Sequence, residues 1–426
     1  MKALRYGSSG NDVYILQLAL RRSGRFPFGL DGVYGTRTLN AVRRFQTAEG
    51  LTPDGVAGSE TNAALEPYLL GSLRVTLRAG DTFYRLARRY GTSAGSIAAA
   101  NPGMDAAALP VGAEITVPLG FDAVPTEIPY SSALTGYAVQ GLMLRYPFIA
   151  AEEAGRSVLG SPLTVLSIGS GGKEVFFNAA HHANEWITTP LVLGFLEELA
   201  KAYVSGGSVG GVAAAELLSS VRLYVMPLVD PDGADLVTGA ISPDMPAYAD
   251  ALAIAEGYPD IPFPSGWKAN IAGTDLNLNY PAEWQRAREI KFGLGFTGPA
   301  PRDYVGEAPL SAPEAAAVHA FSEAHGFALA VAYHTQGGEI YWSFGDIEPP
   351  RGREIGEALA EASGYTLAEA PYASGFAGYK DWFILNYGRP AFTVEAGRGT
   401  NPLPLSELDA LKKANYPLMA KAMELA

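Results

Sequence analysis

The chain has 426 residues, 48% of them hydrophobic and 18% charged, with no cysteine and a formal charge of −13. That length and balance fit two or three globular domains with at least one large core. They exclude a disordered chain, a disulfide scaffold, thiolate metal sites and cysteine nucleophiles.

The charge is uneven. Residues 1–120 carry 13 basic and 9 acidic side chains, leaving 18 and 35 for the remainder. An acidic bulk argues against nucleic acid as a partner, and a basic front suits an anionic polymer surface. No apolar run reaches the length that spans a bilayer. Met1 to Gly10 is polar and lacks the apolar h-region of a signal peptide.

Residues 3–68 contain Gly10-Asn11-Asp12-Val13, then Asp31-Gly32-Val33-Tyr34-Gly35, then Arg43-Arg44-Phe45-Gln46, and close with Asp54-Gly55-Val56-Ala57-Gly58. The Asp-Gly turns separate helical apolar spacings, Val13, Leu16, Leu20 and Leu39, Val42, Phe45, which predicts a small three-helix domain. This order of motifs resembles the peptidoglycan-binding helical domain of bacterial wall hydrolases.

Residues 73–118 read strand, helix, helix, strand. Val75-Thr76-Leu77 alternates, Gly80-Asp81-Thr82 caps a helix running to Tyr90, and Ile97 to Asn101 suggests a second helix. Leu109-Pro110-Val111-Gly112 then turns into Ile115-Thr116-Val117-Pro118. The Gly-Asp-Thr start, Asn101-Pro102 and the final Ile-x-Val-Pro resemble a LysM module, which implies binding to N-acetylglucosamine chains. Residues 119–134 hold Pro125, Pro129 and Ser131-Ser132 with little periodicity and read as a linker.

From 135 to 426 apolar strand-like runs alternate with amphipathic helices. Val175–Asn178, Val221–Val229, Phe327–Tyr333 and Ala391–Val394 are expected as buried strands. Ile187–Tyr203, Pro313–His325, Arg353–Ser363 and Leu405–Leu425 are expected as helices. The alternation predicts an α/β domain, a mixed sheet covered by helices on both faces. Functional groups then belong at strand ends and in loops.

His182 and Glu185 follow the run Val175-Phe176-Phe177, three residues apart at a strand-to-helix turn. His334 ends a second apolar run. Two imidazoles and one carboxylate, with a fourth position left for water, are the donors of a catalytic zinc site. Phe392-Thr393-Val394-Glu395 puts another carboxylate at a strand end. These residues in this order resemble the zinc carboxypeptidase family of the carboxypeptidase A type. The resemblance implies one Zn2+ held by His182, Glu185 and His334, with Glu395 as general base. His181 competes with His182, and the family spacing selects His182. His319 and His325 fall on a predicted helix, six apart and on different faces.

Trp267-Lys268-Ala269-Asn270 matches a family block in which an Arg polarises the scissile carbonyl. Here Lys268 holds that place, a point charge without the bidentate fork. In Asp275-Leu276-Asn277-Leu278-Asn279-Tyr280-Pro281 the family's Asn-Arg pair, which grips a free C-terminal carboxylate, is Asn277-Leu278. A leucine cannot pair with a carboxylate, so selection for a chain end is lost or moved. The same block resembles the γ-D-glutamyl-diaminopimelate endopeptidases. Lys380, before Asp381-Trp382-Phe383, holds the position expected to meet the residue after the scissile bond. Arg398 offers a second cation, and Tyr372 corresponds to the family's mobile tyrosine if its loop gains one residue.

The resemblance implies a cell-wall zinc endopeptidase cutting the amide between the γ-carboxyl of D-glutamate and diaminopimelate or lysine. Residues 3–118 would tether it to the glycan chains of peptidoglycan. Its place would be the cell wall or outside the cell, spore and mother cell included. The alternatives are an enzyme trimming C-terminal residues, with Arg398 supplying the cation near Asn277 that grips the terminal carboxylate, and a wall-binding protein without catalysis.

Overall fold

The computed structural model describes residues 2–426. They form two compact units. One reaches to Ile128 and includes Ala133–Ile149; the other joins Pro129–Ser132 to Ala150–Ala426.

The first unit begins with three helices, α1 (Asn11–Arg22), α2 (Thr36–Ala48) and α3 (Ser59–Leu70). Val13, Leu16, Leu20, Val42 and Phe45 are buried, as their helical spacing requires. Two glutamines wire the Asp-Gly turns in the same way. Gln17 donates to Asp31 Oδ1, the Val33 carbonyl and Thr38 Oγ1, and accepts from the Asp31 and Gly32 amides. Gln46 donates to Asp54 Oδ1, the Val56 carbonyl and Thr61 Oγ1, and accepts from the Gly55 amide. The helical part is therefore an internal repeat. Gly32 and Gly55 sit at φ +65° and +79°, and a Cβ on either would lie 2.4 Å from Tyr14 or Leu39, so only glycine fits.

Strands β1 (Ser72–Thr76) and β2 (Glu114–Pro118) pair antiparallel around α4 (Phe83–Tyr90) and α5 (Ala94–Ala100). Thr82 caps α4 by accepting from the Arg85 amide. Asn101 joins α5 to β2, donating to the Ile97 and Thr116 carbonyls and accepting from the Thr116 amide. Residues 119–131 form no helix or strand, yet Ala123, Val124, Ile128 and Tyr130 are buried. Helix α6 (Ser132–Arg145) ends on Arg145, whose guanidinium donates to the carbonyls of Gly71, Leu119 and Phe121.

The second unit carries β3 (Ala150–Arg156), β4 (Pro162–Ile168) and β5 (Lys173–Ala179), a short hairpin of β6 (Ser208–Val209) and β7 (Val212–Ala213), and β8 (Val221–Met226). Then come β9 (Leu329–His334), β10 (Glu339–Tyr341), β11 (Thr366–Ala368) and β12 (Ala391–Glu395). Apart from the hairpin these form one sheet in the order β11-β10-β12-β9-β5-β8-β4-β3. Its centre, β12-β9-β5-β8, is parallel; β10, β4 and β3 join antiparallel, and the edge strand β11 runs parallel to β10. The expected run Val221–Val229 stops as a strand at Met226, because Pro227 has no amide to donate.

Both faces are covered. On one, Phe176, Ala330 and Ala332 share a core with Val318 and Phe321 of helix Pro313–Glu323 and with Trp382 and Phe383 of helix Tyr379–Tyr387. On the other, Phe177 meets Phe195 of α7 (Thr188–Ser205), which meets Tyr416 of helix Leu408–Leu425. The alternation of Phe176 and Phe177 along β5 is what splits them between the two cores. The carboxyl ends of the parallel strands open together on one edge.

Candidate metal centre and its cleft

After β5 the backbone turns sharply at Ala180, whose φ of +54° is in the left-handed region. Thr188 holds this turn: its Oγ1 accepts from the Ala180 amide at 3.0 Å and donates to the Glu185 carbonyl at 2.8 Å. His182 and Glu185 lie between these anchors, so the strand-to-helix turn aims both side chains at the edge of the sheet. His334 is the last residue of the neighbouring strand β9.

The three side chains converge. His182 Nδ1 and His334 Nδ1 are 3.1 Å apart, and each is 3.0 Å from one oxygen of Glu185. All three are buried and offer donor atoms within 4.8 Å of one another. Four donors about 2.1 Å from a tetrahedral zinc stand roughly 3.4 Å apart, close to this triangle. Two ring nitrogens facing each other can share only one proton, so a divalent ion satisfies both lone pairs where hydrogen bonding satisfies one. The donor set fits one zinc.

The far nitrogen of His182 also has a partner. His182 Nε2 lies 3.1 Å from Asp275 Oδ1, and Asp275 Oδ2 accepts from the Asp303 amide. A carboxylate on the outer nitrogen fixes the ring and its tautomer. Burial opposes charge on Asp275, but His182 and its hydrogen bond hold the carboxyl well below the usual range. Burial works against Glu185 ionising too, and His182 and Lys268 outweigh it. Sequence reasoning missed Asp275. The available signal was general: a ligating histidine needs an acceptor behind it, and Asp275 stands in a block already singled out.

Lys268 Nζ is 2.9 Å from Glu185 Oε1. Burial alone would lower its pKa, and the carboxylates of Glu185, Asp275 and Glu395 raise it instead, so the ammonium stays charged. Glu395 ends β12 directly opposite His334 in the parallel ladder. Burial, then the Glu185 charge, pushes Glu395 up to about 8, with Lys268 pulling the other way.

These groups border a cleft of about 620 Å³ lined by His182, Lys268, Asn277, Leu278, Lys380 and Glu395 among others. Asn277 Oδ1 accepts from the Tyr379 amide. Lys380 reaches the cleft, but its Nζ is 2.5 Å from both Asp381 Oδ1 and the Ser343 carbonyl. Tyr372 and Arg398 are not among the lining residues. Tyr372 is 64% exposed, and its hydroxyl accepts from Arg286. Arg398 is exposed beside Gly338. His181 is buried behind the site with Nε2 2.9 Å from the Tyr280 hydroxyl. His319 pairs with Glu323 and His325 with Glu174, away from the centre.

Comparison with known proteins agrees with this geometry. Residues 138–417 match the zinc carboxypeptidase family, 9–65 a putative peptidoglycan binding domain and 75–118 the LysM domain. Gamma-D-glutamyl-L-diamino acid endopeptidase 1 of Lysinibacillus sphaericus is 42% identical over 273 residues, 64% of this chain and 67% of that protein. The uncharacterized protein YqgT of Bacillus subtilis is 36% identical over 281 residues, 65% of this chain and 73% of that one. In fold, the chain is similar to bovine thrombin-activatable fibrinolysis inhibitor, solved in complex with tick carboxypeptidase inhibitor. The TM-score is 0.52 at 20% identity, over 70% of this chain and 98% of that one. With a family match over most of its length and the donor set in place, the chain belongs to the zinc carboxypeptidase family and is a zinc-dependent hydrolase.

Proposed function

We propose that this enzyme hydrolyses the amide joining the γ-carboxyl of D-glutamate to diaminopimelate or lysine in peptidoglycan stem peptides. The observation that carries the reading is the pairing of an intact donor set, His182, Glu185 and His334, with Leu278 where a carboxypeptidase needs a cation. A site that can hydrolyse an amide but has lost the grip on a chain end suits an internal or unusual linkage. The relative from Lysinibacillus sphaericus is named for that linkage.

His182, Glu185 and His334 hold the zinc, which supplies a Lewis acid for the carbonyl and lowers the pKa of water toward neutrality. Glu395, on the strand next to His334, takes the proton from the attacking water and returns it to the leaving amine. Lys268 places a fixed positive charge where the carbonyl oxygen gains negative charge. Asn277, Tyr372, Lys380 and Arg398 remain the expected substrate contacts. Of these, Asn277 and Lys380 line the cleft.

Residues 3–118 tether the enzyme to the glycan strands, so that the cleft works on stems at high local concentration. Wall association, outside the cell or in the spore and mother cell, follows from the same modules. Among the described residues no helix is long and apolar enough to cross a membrane.

The test is mass spectrometry of products from L-Ala-γ-D-Glu-diaminopimelate peptides, with and without a chelator. Release of L-Ala-D-Glu, abolished by the chelator, is expected. Loss of only a C-terminal residue from longer stems would establish trimming instead.

A further inference from the structure

Leu278 leaves open what recognises the substrate's charge. Four cations line the cleft, and three are fully engaged. Lys291 is buried against Asp303. Lys268 faces Glu185 at 2.9 Å. Lys380 is buried between Asp381 and the Ser343 carbonyl.

Arg302 differs. Its side chain is 45% exposed and lines the cleft, and its Nε donates to Asp303 Oδ2 at 2.6 Å. Among the described residues no protein acceptor takes its Nη groups. Asp303 is fixed from three directions. Its Oδ1 takes the buried Lys291 ammonium at 2.5 Å, its Oδ2 takes Arg302, and its amide donates to Asp275 Oδ2 at 3.0 Å. These contacts hold Asp303 in the left-handed region, at φ +66°. One carboxylate thus faces two cations, and Arg302 keeps its Nη groups for the cleft.

The position of Arg302 along the cleft is also set. The Pro301 carbonyl accepts from the amides of both Lys268 and Ala269 at 2.7 and 2.9 Å. Arg302 therefore shares a wall with Lys268, whereas Asn277, Gly378 and Lys380 make up another. A guanidinium clamped through Nε offers its Nη edge, the geometry that matches a carboxylate.

We propose that Arg302 binds the free α-carboxylate of the γ-linked acyl residue and so selects γ-glutamyl amides. An amide formed through the side chain leaves the α-carboxylate ionised, separated from the scissile carbonyl by the side-chain methylenes. An ordinary α-linked apolar residue has no charge there. The inference rests on the γ-amide reading above and names its specificity residue.

The test compares two peptides in the zinc-loaded full chain, one with γ-D-glutamate and one with its α-carboxamide, γ-D-isoglutamine. The unmodified enzyme should prefer the free acid. Arg302→Gln should lower kcat/KM on the acid by roughly 10²-fold, the scale of a charge-assisted contact, and leave the amide within about threefold. Arg302→Lys should fall between. Zinc content and melting temperature should not change, since Lys291 and Asp275 still hold Asp303. An acid-to-amide ratio that is the same in Arg302→Gln as in the unmodified enzyme would overturn the assignment alone. If the unmodified enzyme cleaves neither peptide, the γ-amide reading fails and the assignment fails with it.

Discussion

Glu395 ends its strand in register with His334, on the adjacent parallel strand. The ladder itself therefore sets the spacing between a zinc donor and the candidate base, with no loop intervening. Side chains placed by rigid strands hold their geometry better than side chains placed by loops. Glu395→Gln keeps the shape and removes the base. It should lower kcat by about 10³-fold, within the range assigned to general-base catalysis, at unchanged zinc content. Turnover near that of the unmodified enzyme would remove Glu395 from the mechanism.

Asp275 supports His182 from behind at 3.1 Å. Asp275→Asn retains the size but replaces a carboxylate acceptor by an amide. Zinc affinity should fall by roughly 10–100-fold, measured by competition with a chromophoric chelator. At saturating zinc most activity should return. An unchanged affinity would show that the ring is held without Asp275.

How much of this centre could be read from the chain differs by residue, for a physical reason. His182 and Glu185 sit on one turn, so their spacing is local and visible. His334 and Glu395 end apolar runs that must be buried strands, and strand ends in a parallel sheet meet on one edge. Asp275, Arg302 and Asp303 sit in irregular segments, where no period records which neighbours the fold will bring. Lys380 shows the converse. Its place in the sequence is one expected to meet the substrate, and folding buries it against Asp381. The segment 119–131 lacks periodicity because it has no regular structure, although much of it is buried.

Glu395 also predicts a pH dependence. Burial and the charge of Glu185 push it from 4.5 up to about 8. Zinc beside it favours the ionised form, so the working value lies below 8. The base must be ionised, and kcat/KM should therefore fall as pH drops through an acid limb between 4.5 and 8. Lys268 lowers the Glu395 pKa. Lys268→Met should accordingly move that limb to higher pH. A limb unmoved by this change would assign it to another group.

The same Lys268→Met variant tests the role of the ammonium at the carbonyl. An electrostatic partner used mainly in the transition state affects kcat more than KM. The expected loss is about 10²–10³-fold in kcat at the pH optimum. Lys268→Arg should keep much of the activity, because charge is retained. A rise in KM alone would make Lys268 a binding residue.

The last prediction concerns the first unit, where Gln17 and Gln46 play matching parts. Each is buried within a network joining a helix to an Asp-Gly turn. Gln17→Ala would strand the Asp31 and Gly32 amides and open a cavity where the side chain packs, while Thr38 keeps its bond to the Val33 carbonyl. Buried donors without partners are costly, and the expected loss is about 2–3 kcal/mol. Differential scanning calorimetry on the full chain should show a lower melting transition for the first unit and reduced pull-down on insoluble peptidoglycan. Cleavage of small soluble peptides should stay as it was, because no residue of the cleft belongs to that unit. Equal losses on soluble and insoluble substrates would show instead that the two units are not functionally separable.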